Sequence, residues 1–194
     1  MNIVIFPQSK YPLYIFEPRY KILINKCLAD KTGFGIISLS KSELSKIGCY
    51  VRVTEVINKF SSGEMNIIVT GKYRFLRDEL VTHSDGYHTS KIKKYKDKAT
   101  KLDLNLLAEL RDKFSNILDK VDHHIDKSFW GNYEVSKQKS FKLAEKSGLT
   151  LEQQVDLLLM RDENKRIKFL IDHFNQFEKI LTNRKIAIGN GYLN

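Results

Sequence analysis

The run Pro12-Leu13-Tyr14-Ile15-Phe16-Glu17-Pro18-Arg19-Tyr20 decides how this chain is read. Pro18 fixes φ, lacks an N–H donor, suits the first turn of a helix and disfavours helix in the residue before it. An extended run therefore becomes a helix here. Ile22, Leu23, Lys26, Cys27 and Asp30 follow at helical spacing, and Gly33 ends the pattern.

Outward from that joint, the first half reads as short strands. Ile3, Val4, Ile5 and Phe6 form an apolar run stopped by Pro7, which predicts a first strand and a turn through residues 8–10. Phe34, Ile36, Ile37 and Leu39 predict a second strand, and residues 41–47 a loop. From Cys49 to Asn58 apolar and polar residues alternate, Ser61-Ser62-Gly63-Glu64 is a turn by composition, and residues 65–70 return as the second arm of a hairpin. Gly71 punctuates before a strand through Tyr73, Phe75 and Leu80, and Gly86 before one over residues 87–95.

Beyond Thr100 the period changes. Leu102, Leu106, Leu107, Leu110, Phe114, Ile117, Leu118, Val121 and Ile125 recur at three and four, marking a long amphipathic helix that Phe129-Trp130-Gly131-Asn132 interrupts. A helix over residues 136–146 ends at a Gly148 cap, a Thr150/Gln153 capping box opens another through Met160, and residues 162–181 form the last, with Ile167, Leu170, Ile171, Phe174 and Phe177 inward. The fold class predicted is α+β: an antiparallel sheet curled into a partial barrel with one early helix over residues 1–98, a helical subdomain over 99–183, and a flexible tail over 184–194.

Composition narrows the function. With 194 residues, 42% of them hydrophobic, the chain can bury roughly 70% of its unfolded surface. The formal charge of +10 falls mainly in residues 1–100, where 17 Lys and Arg against 9 Asp and Glu leave +8; an anionic partner would meet that half first. Cys27 and Cys49 have neither metal-ligand nor redox spacing and read as small buried hydrophobes, which fits a reducing, cytoplasmic location. Residues 1–10 lack the pattern of an export signal, and no apolar run reaches the ~18 residues that span a bilayer. No membrane partner is expected.

The motif series then resembles a known family. Phe6-Pro7, Pro12-Leu13, Ile15-Phe16-Glu17-Pro18-Arg19-Tyr20, Gly33-Phe34-Gly35, Gly48, and Gly71-Lys72-Tyr73-Arg74-Phe75 are similar to the amino-terminal substrate-binding domain of Lon proteases in a short stand-alone form, over roughly residues 3–181. The resemblance implies a PUA-like β pseudo-barrel followed by helices, used to recognise unfolded or degron-bearing polypeptides. Gln8 departs from the pattern, because family members often carry Gly there, so the first turn is expected to differ. Full Lon proteases add an ATPase and a Ser-Lys peptidase, and neither is expected in these residues; a full-length ATP-dependent protease is an expected partner.

The residues themselves support binding rather than chemistry. Gly71-Lys72 is followed by Tyr73 instead of Ser or Thr, and Asn66 stands where a phosphate loop needs its first glycine. No Gly-x-Ser-x-Gly elbow occurs, adjacent His123 and His124 diverge on a helix, and His83, His88 and His173 are isolated, so no catalytic residue, metal or cofactor is expected. Tyr11, Tyr14, Phe16, Glu17, Arg19, Tyr20 and Arg74 are the candidate peptide-binding residues. Among them Phe16, with Phe34, reads more readily as core; Glu17 and Arg19 read as a tie between helix and barrel, and Arg74 as a partner of Glu17. Lys91, Lys93, Lys94 and Lys96, with Tyr87 and Tyr95 nearby, carry the alternative of an RNA-binding face, against a plainer reading as an edge strand guarded by lysines.

Overall fold

The computed structural model describes residues 2–40, 43–121 and 124–190, with side chains through Thr182 apart from that of Ser40. Strand β1, Lys10–Ile15, runs into α1, Pro18–Ala29, with Pro18 at the first helical position as its missing N–H and fixed φ require. The Glu17 carbonyl accepts from the N–H groups of Tyr20 and Lys21, so the helix begins at the residue the proline dictates. Residues 2–6, where an apolar run predicts a strand, lie outside the sheet. They serve as core filling, with Ile5 and Phe6 buried, and the Asn2 amide bonds both the N–H and the carbonyl of Leu39.

The sheet is completed by β2 (Phe34–Ser40), β3 (Glu43–Lys59) and β4 (Met65–Arg77), all antiparallel, in the order β1-β4-β3-β2. Three short strands follow: β5 (Val81–Thr82) pairs with β6 (His88–Thr89), and β7 (Ile92–Lys94) adds to β4. The expected hairpin forms around residues 61–63, with Phe60 donating to the Glu64 carbonyl. Gly71 does not end a strand. It sits inside β4 at a register shift, and a Cβ there would lie 2.2 Å from the Phe6 carbonyl oxygen. The expected loop over residues 41–47 is likewise shortened, because β3 already begins at Glu43; residues 41 and 42 lie outside the described residues.

Gln8 occupies a left-handed conformation, φ 69°, and its N–H reaches the Gly71 carbonyl. This is the physical reason a glycine suits the position, since a side chain at such φ costs about 1–2 kcal/mol. Gln8→Gly is expected to raise stability by roughly 0.5–1 kcal/mol, the relief of strain being partly offset by a freer unfolded chain, measured as an upward shift of the urea midpoint.

The helices are α2 (Leu104–Lys120), α3 (Lys127–Val135), α4 (Lys139–Ala144), α5 (Leu151–Leu159) and α6 (Glu163–Asn190). Asp103 caps α2 by accepting from Asn105 and Leu106, and the Thr150/Gln153 box caps α5 reciprocally, at 2.9 and 3.3 Å. Residues 129–132, expected to break a helix, lie within α3 and turn Phe129 and Tyr133 inward. α6 continues through Asn190, so the expected tail over 184–194 begins as helix, and its last four residues lie outside the described set.

The chain divides into two compact units: Met1–Lys96 with Leu149–Leu159, and Asp97–Gly148 with Met160–Asn194. Residues 149–159, grouped with the helical subdomain by their sequence, therefore belong to the β unit. Within it the sheet curls as a half-barrel. Its inner face (Leu13, Ile15, Val51, Met65, Ile67, Val69) packs with Ile24 of α1 and with Cys49, while Val155, Leu157 and Leu158 of α5 are buried. Burial pushes the Cys49 thiol up to about 12, and Cys27 is also free and buried, so both act as packing groups.

In the second unit Phe114 is central, with its ring 5.6 Å from Phe174 and 5.9 Å from Trp130. Arg166 is fully buried. Its guanidinium reaches Asp97, Glu163, Ser140 and the Met160 carbonyl at 2.5–3.2 Å.

Candidate functional site

The candidate residues divide sharply by environment. On β1, alternation turns Leu13 and Ile15 into the core and leaves Tyr14 on the outer face; Phe16, the next residue of that parity, follows it. Phe16 is 56% exposed and Tyr14 50%, with their rings stacked at 5.8 Å. The expectation that Phe16 is core is thus overturned: Ile15 fills the inward position, and the chain must pass the outward one before Pro18 starts the helix. Phe34 is half-buried against the core, as expected. Tyr11 and Tyr20 are each 37% exposed.

Polar contacts hold this aromatic cluster. The Tyr14 hydroxyl donates to a Glu64 carboxylate oxygen at 2.5 Å, tying β1 to the hairpin turn, and this bond raises the Tyr14 pKa ahead of smaller effects of burial and charge. Glu17 and Arg19 do not bridge helix and barrel. They pair with each other, Nε to Oε2 at 2.9 Å, and the Arg19 guanidinium lies 4.8 Å from the Tyr20 ring. The reason is local: at the first turn of α1 the two side chains are close enough to meet without leaving the helix. Lys21 donates to the Ser62 carbonyl, so helix and hairpin tip are joined by another route.

Arg74 lies elsewhere. It is buried on the inner side of β4, donates to the Leu158 carbonyl of α5 and faces the Tyr95 ring at 5.2 Å. A buried guanidinium bonded to the end of a docked helix is a structural clamp, so the expected pairing with Glu17 gives way to this one. Sequence reasoning missed one apolar side chain beside the cluster, Phe60, which is about half exposed and donates its N–H to the Glu64 carbonyl. The one signal for Phe60 was its position just before the Ser-Ser-Gly turn whose Glu64 Tyr14 engages.

Of the alternative basic set, Lys93 and Lys94 lie in β7 opposite Leu76 and Phe75, and Lys91 precedes it with its carbonyl accepting from Asp78. The Lys94 ammonium sits 4.5 Å from the Tyr73 ring centroid. Lys96 is exposed. His173 bonds the Ser147 carbonyl and His83 stacks on Tyr87, both structural uses, while His123 lies outside the described residues. Among the described residues no three His, Cys, Asp or Glu side chains converge as a metal site would need, and no helix is long and apolar enough to cross a membrane.

The curled half-barrel, followed by helices and carrying this motif series, is a fold of the Lon N-terminal domain type. Residues 1–176 match the ATP-dependent protease La (LON) substrate-binding domain, and the chain belongs to that family. It is 30% identical over 128 residues to the Lon protease of Flavobacterium johnsoniae, a stretch covering 62% of this chain and only 15% of that protein. In fold it is similar to the Lon N-terminal domain protein from Xanthomonas campestris (TM-score 0.68, 20% identity, covering 89% of this chain and 94% of that one). The N-terminal domain of Mycobacterium avium complex Lon protease is similar as well (TM-score 0.61, 16% identity, covering 90% and 94%).

The motif glycines are now explained by packing. A Cβ at Gly33 would lie 2.0 Å from the Val51 carbonyl, and one at Gly35 or Gly48 would meet the Phe75 ring at 2.8 or 2.7 Å. The family signature in this chain is therefore mostly a folding signature.

Proposed function

We propose that this chain is a polypeptide-binding module that, without catalysing a reaction, holds extended, unfolded or degron-bearing segments against an edge formed by Tyr14, Phe16 and Tyr20, with Tyr11 exposed at the inward parity of β1. The observation that carries this reading is the stacked pair Tyr14 and Phe16, left half exposed at the strand-to-helix joint of a substrate-binding-domain family member. Apolar surface of this kind, rimmed by the Glu17–Arg19 pair and Glu64, suits an extended apolar segment, because ring faces take side chains while rim groups take peptide N–H and carbonyls. The match to the substrate-binding-domain family also supports service as an adaptor or regulator beside a full-length ATP-dependent protease of the cytoplasm, which belongs to the same proposal.

Fluorescence anisotropy with a labelled, permanently unfolded polypeptide tests it. Replacing Tyr14 and Phe16 together by serine is expected to weaken binding by about tenfold or more, since each exposed ring contributes on the order of 1 kcal/mol. Tyr14 and Phe16 lie outside the core, so the variant folds. Undiminished affinity in the double variant would remove the site.

A further inference from the structure

We propose that the outer face of the sheet selects polypeptides in which an acidic cluster lies about four residues from an apolar one, the acidic part resting on Lys10, Arg52 and Lys94 around the Tyr50–Tyr73 pair. This deepens the polypeptide-binding reading and rests on it.

The register lays out the face. Tyr14 stands opposite Asn66, Pro12 opposite Ile68 and Lys10 opposite Thr70, while Arg52 faces Thr70 from the other side. Lys10, Thr70 and Arg52 thus form one row across three adjacent strands. The side chains between these positions, Leu13, Val51, Ile67 and Val69, are buried in the core, so this row shares the outward side with Tyr14. From Tyr14 to Lys10 is four residues, or ~13 Å of strand, which an extended peptide also spans in four residues.

Beside the row, Tyr50 and Tyr73 are paired across β3 and β4 with rings 4.8 Å apart and 13° from parallel. The Gly33 N–H donates to the Tyr50 hydroxyl at 2.6 Å, which fixes that ring. Arg52 lies against the same spot, because a Cβ on Gly33 would meet Tyr50 Cζ at 2.9 Å and Arg52 Cγ at 3.0 Å. Burial and the neighbouring Tyr50 raise the Tyr73 pKa, and the charge of Arg52 pulls against them. Lys94 covers the Tyr73 ring from the β7 side.

Two cations therefore flank a rigid aromatic pair, and a third stands one strand away. Among the described residues none of Lys10, Arg52 and Lys94 has a carboxylate within ion-pair distance, whereas Arg19 and Lys26 do. Unneutralised cations on an exposed face favour carboxylates. The adjoining Tyr14–Phe16 edge favours a polypeptide over a nucleic acid, because the Glu64 and Glu17 carboxylates beside those rings would repel a phosphate backbone but not an apolar peptide segment.

Labelled peptides of about a dozen residues test the proposal: one with an aromatic pair and an Asp/Glu block four residues away, one with Ser in place of the block, and one with the block moved beside the aromatics. The first is expected to bind about tenfold tighter than the other two at low salt, with the advantage shrinking at high salt as screening predicts. Lys10→Glu with Arg52→Glu should abolish the advantage while retaining binding of the serine peptide. Equal affinities in the wild-type protein overturn the proposal without any variant having to fold, and so does tighter, Arg52-dependent binding of a single-stranded RNA of equal charge. If even the serine peptide does not bind, the polypeptide-binding reading falls with it.

Discussion

Arg166→Met is expected to lower the stability of the helical unit by about 3–5 kcal/mol, the cost of emptying a fully buried cation site and leaving two partly buried carboxylates unpaired. With a urea m-value near ~2 kcal/mol/M, the midpoint moves down by about 2 M. Trp130, the single tryptophan, lies in the same unit and reports the transition by fluorescence. The prediction follows from how completely the guanidinium is used. Its fork engages Asp97 through both oxygens, at 2.9 and 2.7 Å, its Nε reaches Ser140 and Glu163, and its Nη1 also holds the Met160 carbonyl. Phe141 lies beneath it, 4.4 Å from the guanidinium carbon.

Burial opposes the charge of Arg166, but the bond to Asp97 and the field of Glu163 outweigh it, so its pKa is raised and it stays a cation. Methionine fills much the same volume, so the loss is electrostatic rather than a cavity. The distinguishing comparison adds Asp97→Leu and Glu163→Met to the first change. Removing all three charges should recover much of the loss, though not all, because Ser140 gives both its N–H and its hydroxyl to Glu163. A single variant that melts like the wild type would show that the cluster is not structural.

That cluster was invisible in the sequence, and the reason is instructive. The run Asp162-Glu163-Asn164-Lys165-Arg166 opens the last helix, but helical spacing gives no reason to bury one of its charges, and only the tertiary position of Asp97, 69 residues earlier, converts Arg166 into a buried clamp. The same limit applies to α5. Its Val155, Leu157 and Leu158 announce a buried helix, but helical spacing does not say against what, and sequence neighbourhood pointed to the wrong unit. What was legible had local causes: the Pro18 helix start, the Ser-Ser-Gly turn, the Thr150/Gln153 box, and the alternation that buries Val51, Ile67 and Val69.

The candidate site was legible only in part, for a related reason. Tyr14 could be assigned outward from alternation. Phe16 could not, because a phenylalanine flanked by Ile15 and Pro18 carries equal signals for core and edge until the start of α1 fixes the parity. Arg74 was misread because its partner is a backbone carbonyl on α5, which no residue-type pattern encodes.

Gly71→Ala is expected to destabilise the β unit by at least about 3 kcal/mol, although it adds one methyl group to a strand and would ordinarily favour it. The added Cβ would stand 2.2 Å from the Phe6 carbonyl oxygen and 3.2 Å from the Cys49 sulfur. Neither neighbour can yield cheaply. The 6–9 segment is bonded to Gly71 from both sides, Gln8 donating to its carbonyl and Gly71 donating to Ser9, so moving Phe6 away breaks the bonds that complete the turn. Displacing β4 instead disturbs the pairing of Gly71 with Val51 at the register shift. Gly131→Ala is the matched control. That glycine lies in α3 with nothing within 4 Å of the added Cβ, so alanine should stabilise by about 0.5–1 kcal/mol through helix propensity alone. Urea unfolding followed by far-UV circular dichroism, with amide exchange in β3 and β4, separates the two cases. A Gly71→Ala protein whose β3 and β4 amides stay as protected as in the wild type would mean that the 6–9 segment yields at little cost, and the close approach of Phe6 to β4 would not be what requires glycine there.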